Sequence, residues 1–84
     1  MPPNGDAVSV IIPAFNRRHE ISRAIQSALG QTRPPDEIIV VDDGSTDGTG
    51  DAVAALGESR LRVLRQPSNR GAAAARNVGI KAAQ

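Results

Sequence analysis

The sequence predicts an α/β fold in which a small parallel sheet carries helices on both faces. Residues 8–13 and 38–41 are short, almost unbroken apolar runs, typical of strands buried on both faces. Between them, residues 19–32 place apolar side chains at i, i+3, i+4, i+7 and i+8, the stripe of an amphipathic helix. Strand, helix and strand over roughly thirty residues make a βαβ unit.

Proline and glycine mark the ends of these elements. Pro13 has no N–H to donate and is expected to end the first strand. Pro34 and Pro35 end the first helix. In the turn sequence DGSTDGTG, Ser45 and Thr46 are candidate N-caps for a second helix.

The rest of the chain repeats the pattern. Residues 60–66 predict a third strand whose arginines favour an edge position, and residues 69–84 predict an alanine-rich third helix that packs closely on the sheet. The order βαβαβα describes a Rossmann-like half-domain with an incomplete three-stranded parallel sheet. We expect residues 1–7 to be a disordered tail and residues 8–84 to be the N-terminal part of a longer domain.

Composition excludes several function classes. The chain has 84 residues, a net charge of +1, no cysteine and a single aromatic residue, Phe15. Thiol catalysis and thiolate metal sites are therefore excluded, and neither the charge nor the aromatic content suits a nucleic-acid partner. No apolar run approaches the roughly 20 residues of a membrane span.

Ligands of open α/β sheets bind outside the carboxyl ends of the strands. Strand one leads into Pro13, Ala14, Phe15 and Asn16, strand two ends in Asp42 and Asp43, and strand three leads into the sequence SNRG, which contains Asn69. This set of residues suits a nucleotide. An aromatic face can stack on a base, a carboxylate can accept a ring N–H, and an arginine beside a helix N-terminus favours phosphate.

Each of these residues also has a structural explanation. Phe15 can be a core residue, Asp42 and Asp43 can bond to their own turn, Asn69 can be an N-cap, and Arg76 can be a solvated helix residue. The segment DGSTDG imitates a calcium loop but places Ala54 where the bidentate glutamate is required. Neither a G-x-G-x-x-G fingerprint nor a P-loop is found.

Four collinear motifs, VSVIIPAFNR, AIQSALGQT, EIIVVDDGSTDGT and NRGAAAARNVGI, resemble the N-terminal half of a family 2 glycosyltransferase with the GT-A fold. The resemblance implies that this half binds the nucleotide of a nucleotide-diphospho-sugar. It places Pro13 and Phe15 at the base, Asp43 at the base ring N–H, and Asn69 and Arg76 near the base and the diphosphate. Asp42 is then mostly structural.

The resemblance also implies an inverting transferase of cell wall or polysaccharide biosynthesis, with a UDP-sugar as the expected donor and an unknown acceptor. Its D-x-D motif, which binds Mg or Mn, and its general base are expected beyond residue 84. The fragment alone is therefore expected to be inactive. A cytoplasmic location is expected, with membrane association only through other regions. The alternative is a nucleotide-binding or structural α/β module without transferase activity. Phe15 stands where tyrosine is common in the family, which removes a hydroxyl contact and keeps the stacking face.

Overall fold

The computed structural model describes residues 8–83, which form three strands and three helices in alternation. In chain order these are β1 (Ser9–Ala14), α1 (Ile21–Leu29), β2 (Glu37–Asp42), α2 (Thr49–Ala54), β3 (Leu61–Arg65) and α3 (Ala72–Ala83). The predicted order βαβαβα is confirmed. The tail predicted for residues 1–7 lies outside the described residues.

The sheet is parallel and has the order β1-β2-β3. Its central strand β2 carries four β-branched residues, Ile38, Ile39, Val40 and Val41, each fully buried. β-Branched side chains suit a pleated strand, and burial on both faces explains why apolar residues are not interrupted here by polar ones. The unbroken apolar run was therefore a correct indicator of this strand.

Alternate residues of the strands face two separate cores. On one face, Ile38 and Val40 pack with helices α1 and α2, in a cluster that includes Ile21, Ile25 and Val53. On the other face, the cluster contains three buried residues of β2 and α3, Ile39, Val41 and Ala75. This two-sided packing is the doubly wound arrangement that the sequence predicts.

Both outer strands differ from β2 in their exposure. Strand β3 pairs only with β2 among the described residues, and its Arg62 and Arg65 are exposed, as predicted for an edge. Strand β1 likewise has β2 as its partner, and it continues through Pro13 to Ala14. The prediction that Pro13 ends the strand was wrong, because an edge strand tolerates a residue without an N–H.

Helix α2 begins later than predicted. Its N-cap is Gly48, in the left-handed region at φ 88°, and the carboxylate of the preceding residue, Asp47, accepts the N–H of Thr49, the first residue of the helix. Ser45 and Thr46 are not its caps. Their polar groups are instead bonded to the loop that follows β1.

Helix α3 approaches the sheet closely through Gly79, which is buried. A Cβ atom at this position would lie 3.2 Å from the Cγ2 atom of Val41 and closer still to that of Ile11. Contacts this short force a neighbour to move. The close packing predicted for this helix is confirmed, and a glycine as well as the alanines makes it possible. Within residues 8–83 no helix has the length and apolarity needed to cross a membrane.

Candidate functional site

The carboxyl ends of the three strands lie side by side. Ala14 is in register with Asp42, and Asp42 with Arg65. The loops that follow these residues therefore begin next to one another, at the edge of the sheet where open α/β folds bind ligands. They enclose a cleft of about 350 Å³, lined by Pro13, Ala14, Phe15, Asn16, Arg17, Asp43, Asn69, Gly71 and Ala72.

Phe15 is a cleft residue and not a core residue. It is 41% exposed, although a phenylalanine is usually buried. The next residue, Asn16, has a φ of 52°, in the left-handed region that asparagine tolerates better than most residues. The chain turns sharply at this point, and the turn leaves the ring of Phe15 beside the cleft.

Asp43 lies at the floor of the cleft and is 3% exposed. Its backbone N–H donates to the carbonyl of Ala14 at 2.8 Å. Its carboxylate accepts the N–H of Gly71 at 2.9 Å and that of Arg70 at 3.1 and 3.2 Å, one distance to each oxygen. A buried carboxylate needs such partners. Asp43 thus joins β2 to the beginning of α3.

Asp42, also buried, serves the turn after β2. Its Oδ1 atom accepts the N–H of Ser45 at 3.0 Å, and its side chain does not line the cleft. The prediction that Asp42 is mostly structural agrees with these contacts. Only Asp43 of the two acids faces the cleft, because neighbouring residues of a strand point to opposite sides.

The loop between β3 and α3 forms the far wall of the cleft. Asn69 lines this wall, and its side-chain oxygen accepts the N–H of Gly71 at 3.1 Å. This is an Asx-type turn of the kind that often precedes a helix. The N–H of Gly71 is therefore shared between Asn69 and Asp43, which fixes the loop against the end of the sheet.

Two arginines differ from the sequence-based expectation. Arg76 is exposed on α3 and is not among the residues that line the cleft, so its predicted role near the diphosphate stays a prediction. Arg17 does line the cleft and was missed. Its position directly after the motif residue Asn16 was the available signal. Its ion pair with Glu20, at 3.7 Å, joins two largely exposed side chains, and such pairs contribute little to stability.

The β1–α1 loop is hydrogen-bonded to the β2–α2 loop at several points. The N–H of Asn16 donates to the hydroxyl of Ser45 at 2.9 Å, and the side-chain oxygen of Asn16 accepts the N–H of Thr46 at 2.9 Å. The N–H of Arg17 donates to the hydroxyl of Thr49 at 2.9 Å. These bonds span about thirty residues of sequence and connect the cleft to the motif STDGT.

Asp47 completes these contacts. Its carboxylate accepts the hydroxyl and the N–H of Thr49 and, at 3.2 Å, the N–H of Arg18. The hydrogen bond from the Thr49 hydroxyl, followed by those from the backbone amides, lowers the pKa of Asp47 from its ordinary value of 3.8. The ionised form of Asp47 is the one that these donors favour.

The described residues do not fit a divalent metal. Residues 8–83 contain no cluster of three or more histidine, cysteine, aspartate or glutamate side chains suited to a metal ion. The adjacent acids Asp42 and Asp43 are bonded to backbone N–H groups in two different loops, whereas Mg²⁺ and Mn²⁺ require converging oxygen ligands. The metal ligands predicted beyond residue 84 stay a prediction.

The chain is similar in sequence to known proteins of one family. The family model "Glycosyl transferase family 2" matches residues 9–84. The succinoglycan biosynthesis protein ExoO of Rhizobium meliloti is 44% identical over 77 residues, which are 92% of this chain and 22% of that protein. GlyG, a glycosyltransferase of Streptococcus pneumoniae, is 40% identical over 81 residues, 94% of this chain and 27% of that protein.

A third relative carries a specific name. The Escherichia coli protein WfgD, a UDP-Glc:alpha-D-GlcNAc-diphosphoundecaprenol beta-1,3-glucosyltransferase, is 42% identical over 74 residues, 88% of this chain and 29% of that protein. The chain thus spans less than a third of the length of each of these three relatives. Because the family model covers nearly all of it, the chain belongs to glycosyl transferase family 2.

Proposed function

We propose that the cleft binds the nucleotide of a nucleotide-diphospho-sugar, with a UDP-sugar as the donor, and that the full-length protein transfers the sugar to an acceptor. The observation that carries this proposal is the convergence of Phe15 and Asp43, an exposed aromatic ring and a buried carboxylate, in one cleft at the carboxyl ends of the strands. Membership of the family supports the same reaction class.

The base is held by stacking and by one charge-assisted hydrogen bond. Stacking of a base on an aromatic ring such as Phe15 contributes about 1–3 kcal/mol. A carboxylate has about four acceptor positions, and two N–H donors occupy those of Asp43 only in part. Asp43 therefore keeps the capacity to accept the N3–H of uracil from the open side of the cleft.

The diphosphate is placed near Arg17. The amide of Gly71 at the beginning of α3 already bonds to Asp43 and Asn69, so it is not a free donor for a phosphate. Arg17 lines the cleft and is only loosely paired with Glu20, and an arginine fork suits phosphate oxygens. We assign Arg17 the leading electrostatic role and Arg76 a secondary one.

The remaining parts of the reaction rest on the family. Inversion requires a general base on the acceptor side, and a bound divalent metal would supply charge stabilisation for the departing diphosphate. None of the described residues is assigned to either role. The names of ExoO and WfgD, which specify succinoglycan and a diphosphoundecaprenol-linked sugar, support a role in polysaccharide assembly. A cytoplasmic location remains part of the proposal.

Isothermal titration of the full-length protein with UDP and CDP tests the assignment of the base. Cytosine presents an acceptor at N3 and would leave the Asp43 carboxylate facing a lone pair. That mismatch costs about 1–3 kcal/mol, so UDP should bind roughly 5 to 150 times more tightly. Equal affinity for the two would contradict the role of Asp43. If the protein binds none of the four nucleotides UDP, CDP, dTDP and GDP, the proposed function is wrong.

A further inference from the structure

We infer that Ser45, Asp47 and Thr49 are positioning residues for the nucleotide site, because they hold the turn at residues 15–17 in the conformation that forms one wall of the cleft. We call these three side chains and their bonds to residues 16–18 the loop latch. The inference deepens the proposed function and rests on it in one respect: that the cleft binds a nucleotide.

The latch acts at a distance from the ligand. None of its three side chains lines the cleft, whereas Phe15, Asn16 and Arg17 all do. The hydrogen bonds that these three side chains make to residues 16–18 are accepted from backbone N–H groups, those of Asn16, Arg17 and Arg18. A change in the latch therefore reaches a ligand only through the conformation of the turn.

The turn needs this support because its backbone is unfavourable for a free loop. Asn16 is the one non-glycine residue with positive φ in the described range, at 52°, a conformation that persists only when its surroundings fix it. The hydroxyl of Ser45 accepts its N–H, and the N–H of Thr46 donates to its side-chain oxygen, both at 2.9 Å. Asn16 is thus bonded from both its backbone and its side chain.

Two consecutive hydrogen bonds, through Thr49 and Asp47, fix the next residue, Arg17. Thr49 is fully buried, and its hydroxyl accepts the N–H of Arg17 while it donates to the carboxylate of Asp47. A hydroxyl whose hydrogen is committed to a carboxylate presents its lone pairs to Arg17 in one orientation. Asp47 thereby orients Thr49, and Thr49 orients the beginning of the segment that leads into α1.

The test compares Thr49→Val, which is close in shape and lacks the hydroxyl, with Thr49→Ser, which restores it. Thr32→Val removes the hydroxyl of an exposed threonine outside the latch and serves as the matched control. In the full-length protein, at a temperature where all variants are folded, UDP should bind Thr49→Val about tenfold more weakly than the wild type. Thr49→Ser should recover most of this loss, and Thr32→Val should bind as the wild type does.

A double-mutant cycle distinguishes positioning from general destabilisation. If Thr49 acts through the turn that carries Phe15, the loss caused by Thr49→Val should be smaller in a Phe15→Ala background than in the wild type. Full additivity, or an unchanged Kd for Thr49→Val when the wild type binds UDP, would overturn the inference and leave the proposed function intact.

Amide hydrogen exchange tests the latch without any ligand. In the wild type the N–H groups of Asn16 and Arg17 should be protected, and Thr49→Val should accelerate exchange at Arg17 by tenfold or more while the amides of β2 remain unchanged. Ser45→Ala should do the same at Asn16. Unchanged protection at both amides would overturn the inference whether or not UDP binds. If the latch passes this test but the wild type binds no nucleotide, the proposed function and the role of the latch in binding are both wrong.

Discussion

The carboxylate of Asp43 accepts the backbone N–H of Gly71 at 2.9 Å, across 28 residues of sequence. This bond joins the end of the central strand to the beginning of α3, and both of its residues line the cleft. The same carboxylate is proposed to accept a hydrogen bond from the ring N–H of the nucleotide base. Asp43 therefore has one role in the fold and another in binding, and the two can be separated by experiment.

Replacement of Asp43 by asparagine should weaken both the fold and nucleotide binding. The amide offers one acceptor oxygen in place of two and loses the charge, so the hydrogen bonds from the N–H groups of Arg70 and Gly71 become fewer and weaker. We expect the free energy of unfolding to fall by about 1–2 kcal/mol and UDP affinity to fall by roughly tenfold or more. Urea unfolding and calorimetric titration measure the two effects separately.

The neighbouring substitution Asp42→Asn is the control. Asp42 makes a bond to Ser45 that an asparagine oxygen can keep, and it does not line the cleft. Its effect on UDP affinity should be the smaller of the two. A greater loss of affinity for Asp42→Asn would mean that the other acid contacts the base.

The substitution Gly44→Ala should be strongly destabilising. Gly44 has a φ of 77°, and a Cβ atom there would lie 2.6 Å from the backbone N of Asn69 and the backbone C of Ser68. Gly57, at φ 65°, has nothing within 4 Å of the equivalent position, so Gly57→Ala reports the cost of the backbone conformation alone. We expect about 1–2 kcal/mol for Gly57→Ala and a further 1–3 kcal/mol for Gly44→Ala.

Chemical denaturation of the two glycine variants measures this difference directly. Movement of Asn69 away from a new Cβ atom would also reshape the cleft, so Gly44→Ala should bind UDP more weakly than Gly57→Ala does. Equal stability of the two variants would show that the loops after β2 and β3 do not pack as closely as the structure describes.

The sequence predicted the elements well where the determining interactions are local. The β-branched run of β2 and the apolar stripe of α1 depend on residues within one element, and both were confirmed. Ser45 failed as an N-cap because its hydroxyl bonds to Asn16, 29 residues away in the chain. A local pattern cannot reveal whether a serine hydroxyl bonds to an N–H of the helix that follows it or to a residue far away in the chain.

The candidate site shows the same contrast between features that local sequence determines and features that depend on contacts between distant residues. The topology rule brought the strand ends together correctly, so Phe15, Asp43 and Asn69 share one cleft. Spacing alone could not reveal that Arg17 lines this cleft, because the turn at Asn16 determines where the next residue lies. Nor could it reveal that Arg76, on α3, is not among the lining residues. Nor could it show that Asp43 holds the amides of Arg70 and Gly71.

The loop latch should weaken in acid. Hydrogen bonds in the fold lower the pKa of Asp47 below 3.8. The ionised Asp47 side chain therefore stabilises the fold fully above its unfolded-state pKa, and this stabilisation is lost as the pH falls through its lower folded-state pKa. The difference in Tm between the wild type and Asp47→Asn should be constant above about pH 5 and should shrink below about pH 4.

Thermal melts from pH 3 to pH 7 measure this difference. The pKa of Glu58 is also lowered from its ordinary value, chiefly by its hydrogen bond with Arg60. The comparison is therefore made between variants and not on the wild type alone, and Glu58→Gln is the matched control outside the latch. A difference in Tm between the wild type and Asp47→Asn that does not change with pH would contradict the role given to the Asp47 charge.

The substitution Phe15→Ala should affect binding far more than folding. The ring is 41% exposed and belongs to neither core, so its removal should cost clearly less than the 3–5 kcal/mol usual for a buried phenylalanine, and we expect about 1 kcal/mol. Loss of stacking should cost about 1–3 kcal/mol of binding free energy, which is a roughly 5- to 150-fold increase in the Kd for UDP. Phe15→Tyr keeps the ring and should bind UDP at least as well as the wild type. Titration of the three proteins, with a melt of each, separates the two effects: a large loss of stability with unchanged affinity would place the ring in the core and remove it from the nucleotide site.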